Sequence, residues 1–348
     1  MGSDLGVLVL VVALALAFDY VNGFHDTANA VATVVATGVL PGRTAVLLAA
    51  ACNFAGAFAG VGVAKTIGGD IADPASVTQP VVAAALVGAI LWNLLTWYFG
   101  IPSSSSHALI GGLVGAVWCH RVLGGDPAGG AAWGLLSSRG VVLTLEALIL
   151  SPLVGLAGGF VLMVALLWVI RPLRPALVNR GFRHLQLVSA STMAFAHGSN
   201  DAQKSMGIIT LALAAYAAAS SPGAGSPDLH VPWWVIVSCA TAMALGTASG
   251  GWRIMKTMGH RIIKLRPIHG FAAESAAAGV ILGATWLNAP VSTTHVISSS
   301  IMGVGASKRV SAVRWGVAQN MLVAWVLTLP ISAAVSALTY FVLHHVFA

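Results

Sequence analysis

The sequence predicts an all-α polytopic membrane protein, built as an inverted-topology repeat with broken helices and two re-entrant hairpins. Composition is the first ground: 348 residues, 57% hydrophobic and 8% charged, with mean hydropathy +0.88, against about 25% charged in an ordinary soluble protein. The second is a polar cassette, P-x-S-[ST]-[ST]-H, that occurs twice between apolar runs, as Pro102–His107 and Pro290–His295. The third is another duplicated polar element, Gly23–Asn29 and Gly198–Lys204. Polar groups in hydrocarbon are costly, so matched pairs of them point to a binding site made by duplication.

The apolar stretches are 5–22, 27–40, 44–64, 81–99, 104–119, 141–170, 188–219, 233–250, 271–289, 296–306 and 315–347. A helix needs about 20 residues to span a bilayer. Stretch 104–119 is short and begins after Pro102, and 188–219 is interrupted by His197 to Lys204. Both are marks of re-entrant hairpins and broken helices. The run 5–18 reads as a retained helix and not a signal peptide, because its flank carries Asp4 and no Lys or Arg.

Basic residues cluster in 171–183, 253–266 and 308–314. With these clusters in the cytoplasm, the N-terminus lies outside. Residues 5–40 then cross inward and 44–64 outward, 81–119 form a hairpin entering from outside, and 141–170 cross inward. After a cytoplasmic linker at 171–187, residues 188–219 cross outward and 233–250 inward. Residues 271–306 form a hairpin entering from the cytoplasm, and 315–343 exit. Lys65, Arg121 and Arg139, in loops 65–80 and 120–140, stay outside, as does loop 220–232, which has no Lys or Arg. Lys204 falls within the membrane. Residues 1–170 and 188–348 thus repeat one order of elements in opposite orientation, with the cassettes offset by 188 residues and the aspartate elements by 175.

The net charge of +7 reads as orientation signal, not nucleic-acid binding, because the basic residues sit in short loops. Cys52, Cys119 and Cys239 are isolated and read as packing residues. Glycine pairs at 111/115, 155/159, 246/250 and 279/283 suit close helix packing. Trp92, Trp97, Trp233, Trp234, Trp315 and Trp325 read as an interfacial belt.

Chemistry concentrates in the duplicated elements. Pro102 and Pro290 are suited to start helices. The residues after them, Ser103, Ser104, Ser105 and Ser106, and Ser292, Thr293 and Thr294, would present hydroxyls and free N–H groups at helix N-termini, which bind oxyanions. The alternative is that these hydroxyls only bond back to their helices or glue helices together. Asp26 and Asp201 lie in apolar sequence, where a carboxylate costs roughly 2.5–3.5 kcal/mol to insert and needs a partner. Asn29, Asn200, Gln203 and Lys204 offer donors beside them, and a purely structural Asp–Lys pair is the alternative. An oxyanion that carries a proton, such as phosphate, gives an aspartate something to accept, whereas sulfate is repelled. The aspartates could equally bind a co-transported cation. His25 and His197 are candidates for a proton relay, and His107 and His295 for ligands, proton carriers or helix-packing donors. Glu274, on the arm leading to Pro290, is a coupling candidate. Asp19 has no role assigned by the sequence. No metal-site spacing is present, so no structural metal or other cofactor is expected.

On these residues the chain resembles the inorganic phosphate transporter (PiT) family. That family carries two elements of the form G-A-N-D-x-x-N-A and two serine/threonine hairpin motifs. Here they read Gly23-Phe-His-Asp-Thr-Ala-Asn-Ala30, Gly198-Ser-Asn-Asp-Ala-Gln-Lys-Ser205, Pro102 to His107 and Pro290 to His295, spread over essentially the whole chain. The resemblance implies phosphate uptake by symport, an inverted-repeat fold and a homodimer. By motif match, Asp26, Asn29, Asp201 and the hydroxyls of Ser103 to Ser106 and Ser292 to Thr294 would surround phosphate and the coupling ion. His25 and Lys204 depart from the general signature and resemble the bacterial low-affinity branch, which implies proton coupling and metal–phosphate uptake at the inner membrane. A fixed Lys204 charge would substitute for one bound sodium.

The expected function is therefore import of inorganic phosphate, alone or as a metal complex, with H+ more than Na+ as the co-transported ion. The rivals are a sulfate permease, sodium-coupled phosphate symport, a passive anion channel and an intramembrane Ser/His/Asp hydrolase.

Overall fold

The computed structural model describes residues 5–70, 77–124, 139–220 and 230–347, and among them every regular element is helical. In chain order these are α1 (Leu5–Ala36), α2 (Gly42–Gly56), α3 (Gly62–Lys65) with a π-helical continuation, α4 (Gln79–Phe99), α5 (Ser105–Leu123) and α6 (Arg139–Ile170). Then follow α7 (Pro175–Ser220), α8 (Trp233–Ser249), α9 (Trp252–His260), α10 (Pro267–Trp286), α11 (Thr293–Lys308) and α12 (Trp315–Phe347). Helices α1, α4, α6 and α12 are long and apolar enough to cross a bilayer, and the α8–α9 pair qualifies as one bent span. Most of the loop residues assigned to the outside by charge, including Asp73, fall in 71–76, 125–138 and 221–229, outside the described residues.

One expectation is corrected here. The polar elements do not break their helices: α1 runs unbroken through Gly23–Asn29 and α7 through Gly198–Lys204. Their side chains bond to other helices instead of competing for their own backbone, so hydrophobicity is interrupted while the helix is not. α7 begins at Pro175, so most of the segment 171–187 is helical. The sharp break lies elsewhere. Gly250, at φ +77°, ends α8, and α9 departs at 70°. The first part of the basic cluster 253–266 is therefore in helix α9, packed beside the first hairpin tip, where Thr257 Oγ1 donates to the Gly100 carbonyl at 2.9 Å.

Helix pairing repeats between the halves. α1 packs on α8, and α7 packs on α2. The inner hairpin helix α5 packs on α12, and its counterpart α11 packs on α6. Each half thus completes the other's hairpin. Glycine brings these backbones into contact. A Cβ on Gly23 would lie 2.4 Å from the Met243 carbonyl, and one on Gly198 2.2 Å from that of Asn53. Gly246 against Tyr20 and Gly56 against Phe195 close the same two crossings from the other side, at 2.1 and 2.2 Å. Gly111 and Gly115 likewise meet α12, and Gly155 and Gly159 meet α11. Gly279 and Gly283 do not follow the expectation: a Cβ on either meets nothing within 4 Å.

Both hairpins turn the same way. Gly100 and Asn288 take left-handed backbone at φ +66° and +57°, each two residues before the cassette proline. α1 is buried on all sides from Thr27 to Val34 and α7 from His197 to Leu211, so the two aspartate elements lie at the centre of the bundle. A helix buried all round belongs to a core.

Candidate functional site

The cassettes begin their helices three residues later than proline preference suggests. Ser104 and Ser292 are the N-caps, their hydroxyls accepting from the backbone N–H of His107 at 3.2 Å and His295 at 3.3 Å. Proline sits upstream and sets the extended entry. Capping occupies one hydroxyl per cassette. The next residues, Ser105, Ser106, Thr293 and Thr294, keep theirs for the space between the hairpins. Two helix N-termini, each favourable to negative charge, therefore converge. His107 and His295 stack with ring centroids 4.6 Å apart, and Trp325 stacks on His295 at 3.9 Å. Trp325 Nε1 donates to the Pro102 carbonyl at 3.1 Å, so this ring bridges both cassettes. Trp325 and Trp92 are buried and do not belong to an interfacial belt, whereas Trp233, Trp234 and Trp315 are exposed as expected.

Asp26 receives Ser105 Oγ at 3.4 Å from the first hairpin and Thr294 Oγ1 at 3.2 Å from the second. Asp201 receives Thr293 Oγ1 at 3.2 Å. Asn29 Nδ2 donates to Thr294 Oγ1 at 2.9 Å and Thr293 Oγ1 at 3.3 Å, which leaves each hydroxyl proton for an aspartate. Lys204 Nζ lies 2.5 Å from Asp201 Oδ1 and 2.9 Å from the Val291 carbonyl, and also donates to Ser106 Oγ. Ser106 in turn reaches the Val291 carbonyl at 3.1 Å. All of these side chains are buried. Three of the acidic and imidazole groups, Asp26, His197 and Asp201, present ligand atoms within 4.8 Å of one another, a spacing that suits a small cation.

Each aspartate carries a histidine. His25 Nδ1 lies 2.6 Å from Asp26 Oδ1, and its Nε2 lies 3.1 Å from Thr96 Oγ1 and 3.4 Å from Ser103 Oγ. His197 Nε2 lies 3.2 Å from Asp201 Oδ2, and its Nδ1 lies 3.1 Å from Asn53 Oδ1. Asn53 is held by Thr247 Oγ1 at 2.8 Å. Asn53, Thr96 and Thr247 carry no signal in the sequence, because a lone polar residue in a helix looks the same whether it holds a histidine or its own backbone.

Not every predicted residue joins this centre. Gln203 turns away: its Oε1 accepts from the N–H of Val63 at 2.9 Å, and its Nε2 donates to the Ser199 carbonyl at 2.6 Å. Asn200 clamps the second hairpin tip through Thr285, the Ala289 carbonyl and the Val291 N–H. Ser103 bonds Thr96 at 2.8 Å and faces His25, not the aspartates. Glu274 forms a separate buried cluster in which Thr33, Ser189 and Gln186 all donate to its carboxylate. Thr33 lies one turn beyond Asn29 on α1, so the two clusters share a helix.

The chain is similar to known proteins. The profile of the phosphate transporter family matches residues 22–178 and 171–336. A Bacillus subtilis (strain 168) protein described as "probable low-affinity inorganic phosphate transporter" is 49% identical over 97% of this chain and 98% of its own length. A protein of the same description from Rhizobium meliloti (strain 1021) is 49% identical over 96% of each chain. Among solved structures, one titled "The sodium-dependent phosphate transporter" superposes with a TM-score of 0.80 over 99% of this chain and 100% of its own, at 24% identity, and so shares the fold. The family profile and these full-length relatives agree, and the chain belongs to the phosphate transporter family.

Proposed function

We propose that the chain is a secondary active transporter that imports inorganic phosphate by cation symport across the inner membrane. The observation that carries this reading is the convergence of two capped helix N-termini on a buried pair of aspartates. Helix-terminal donors and hydroxyls suit an oxyanion, and carboxylates suit either its proton or a cation. In this reading Ser105, Ser106, Thr293, Thr294, Asn29 and Lys204 contact phosphate, while Asn200 and Gln203 hold the second hairpin and α3 against the site. Ser104 and Ser292 shape the two termini, and Ser103 belongs to the His25 side.

Charge explains why a cation must accompany phosphate. Asp26 and Asp201 bring two negative charges and Lys204 one positive. Adding a divalent anion to that buried set without a cation is prohibitive. The Asp26–His25–Thr96 chain is a ready proton path, and this favours H+ over Na+ as the coupling ion. The Asp26, His197 and Asp201 cluster offers the corresponding place for a metal cation, including one that enters with phosphate. Glu274 connects to coupling through Thr33. The matched helix pairing supports an inverted repeat of 1–170 and 188–348 that rocks to alternate access, with the N-terminus outside; assembly as a homodimer is part of the same proposal.

Uptake into liposomes with proton and sodium gradients imposed separately tests the reading. Concentrative phosphate uptake driven by the proton gradient is expected. Labelled sulfate failing to exchange against phosphate separates this from a sulfate permease, and accumulation against a gradient separates it from a channel.

One observation favours a second reading. Ser103, His25 and Asp26 lie in the order of a hydrolytic relay, with 3.4 Å between Ser103 Oγ and His25 Nε2. Ser103 donates more closely to Thr96, at 2.8 Å, and is fully buried. The chain suits passing a proton better than activating a nucleophile. A covalent adduct at Ser103 with a serine-reactive probe would support hydrolysis instead.

A further inference from the structure

Asp19 lies two turns before Asp26 on α1 and is fully buried, yet neither of its carboxylate oxygens has a hydrogen-bond partner. Asn22, one turn on and also fully buried, has its Nδ2 and Oδ1 equally unpartnered. From α7, Ser205 directs its side chain toward the Asp19 carboxyl, and from α8 Cys239 does the same. The Ser205 hydroxyl makes no hydrogen bond either. The spacing 19, 22, 26 puts Asp19, Asn22 and Asp26 on one face of α1. The charged groups that act on Asp19 are Asp201 and Lys204 of α7; no cation touches it among the described residues.

Unpaired buried polar groups are rare in folded proteins, and an ionisable one inside a membrane marks a functional site. Here a carboxylate and the hydroxyl aimed at it lack partners, and a carboxamide one turn on along the same face of α1 lacks them too, which is a hard oxygen set short of one positive charge. We propose that Asp19, Asn22 and Ser205 form a second binding site for a small monovalent cation, separate from the Asp26, His197 and Asp201 cluster. A proton bound to Asp19, or sodium held by the three oxygens, satisfies the same need. The shared face of α1 then leads that cation to Asp26, so phosphate movement and occupancy at Asp19 are linked. This inference rests on the symport reading above.

The test is the number of cations moved per phosphate, read in liposomes from the membrane potential and the ion gradients at which net phosphate flux stops. Asp19→Asn is expected to move one cation fewer per phosphate than the wild type while phosphate–phosphate counterflow persists, and Asp19→Glu to keep the wild-type ratio. The wild-type ratio, measured under a proton gradient and then a sodium gradient, tells which cation it is. An unchanged ratio in Asp19→Asn overturns the site. If Asp19→Asn does not assemble, Asn22→Ala carries the test, because it leaves the carboxylate in place. A severalfold rise in the half-saturating concentration of the coupling cation, with phosphate affinity in counterflow unchanged, supports the site, and an unaltered cation dependence overturns it. Failure of the wild type to exchange phosphate at all would instead sink the transport reading on which the site depends.

Discussion

Lys204 holds the place on α7 that Asn29 holds on α1: each follows its aspartate by three residues and donates to a hydroxyl of a cassette, Lys204 to Ser106 and Asn29 to Thr294. One half of the site therefore carries a fixed positive charge where the other carries a neutral amide. The lysine pairs with Asp201 as a built-in counter-ion beside the Asp26, His197 and Asp201 cluster.

Replacing it moves that charge onto a mobile ion. Lys204→Asn is expected to raise the number of cations moved per phosphate by one and to make uptake depend on an added monovalent cation. The ratio is read from the gradients that stop net phosphate flux. Lys204→Met, which cannot replace the hydrogen bonds to Asp201, breaks a buried ion pair and is expected to cost about 3–5 kcal/mol of stability, read as a fall in detergent-solubilised Tm.

His25 separates the driving force from the substrate. His25→Asn keeps a side-chain donor beside Asp26 but removes the imidazole that bridges Asp26 and Thr96. Uptake driven by a pH gradient is expected to fall at least tenfold while phosphate counterflow stays within about twofold, since a general acid–base group contributes about 10²–10⁴-fold to proton transfer.

The caps and the ligands are distinguishable. Ser104→Ala and Ser292→Ala each remove an N-cap and are expected to cost about 1 kcal/mol of stability. Thr293→Val keeps the shape but removes the donor to Asp201, and is expected to weaken phosphate binding more than it lowers Tm.

The glycine crossings give a packing control. Gly198→Ala places a Cβ 2.2 Å from the Asn53 carbonyl, and overpacking of this kind costs about 1–3 kcal/mol. Gly279→Ala meets nothing within 4 Å and gains about 1 kcal/mol of helix propensity. The Tm of the two variants is expected to move in opposite directions.

Much of this was legible in the chain because membrane insertion makes polar residues conspicuous. The cassettes, Asp26, Asp201 and Lys204 stand out against apolar sequence, and the structure gathers them. Helix continuity was not legible. A polar run within α7 looks like a break until the hairpins that satisfy Asp201 and Lys204 are in view. Gln203 and Asn200 read as ligands because amides suit any polar partner, and only the fold shows that Val63 and Val291 claim them. Trp325 read as belt because an indole in an apolar run gives no hint of the stacked histidine beneath it. Asn53 and Thr96 matter only through the histidines they touch, which is a property of helix packing and not of spacing.

The central claim is that Asp26 couples a cation to phosphate. Purified wild-type and Asp26→Asn proteins in liposomes, loaded with equal phosphate and given an inward proton gradient, test it most directly. The account predicts accumulation of labelled phosphate by the wild type and none by Asp26→Asn, each compared with uptake under a sodium gradient alone. Concentrative uptake by Asp26→Asn at the wild-type rate would contradict it.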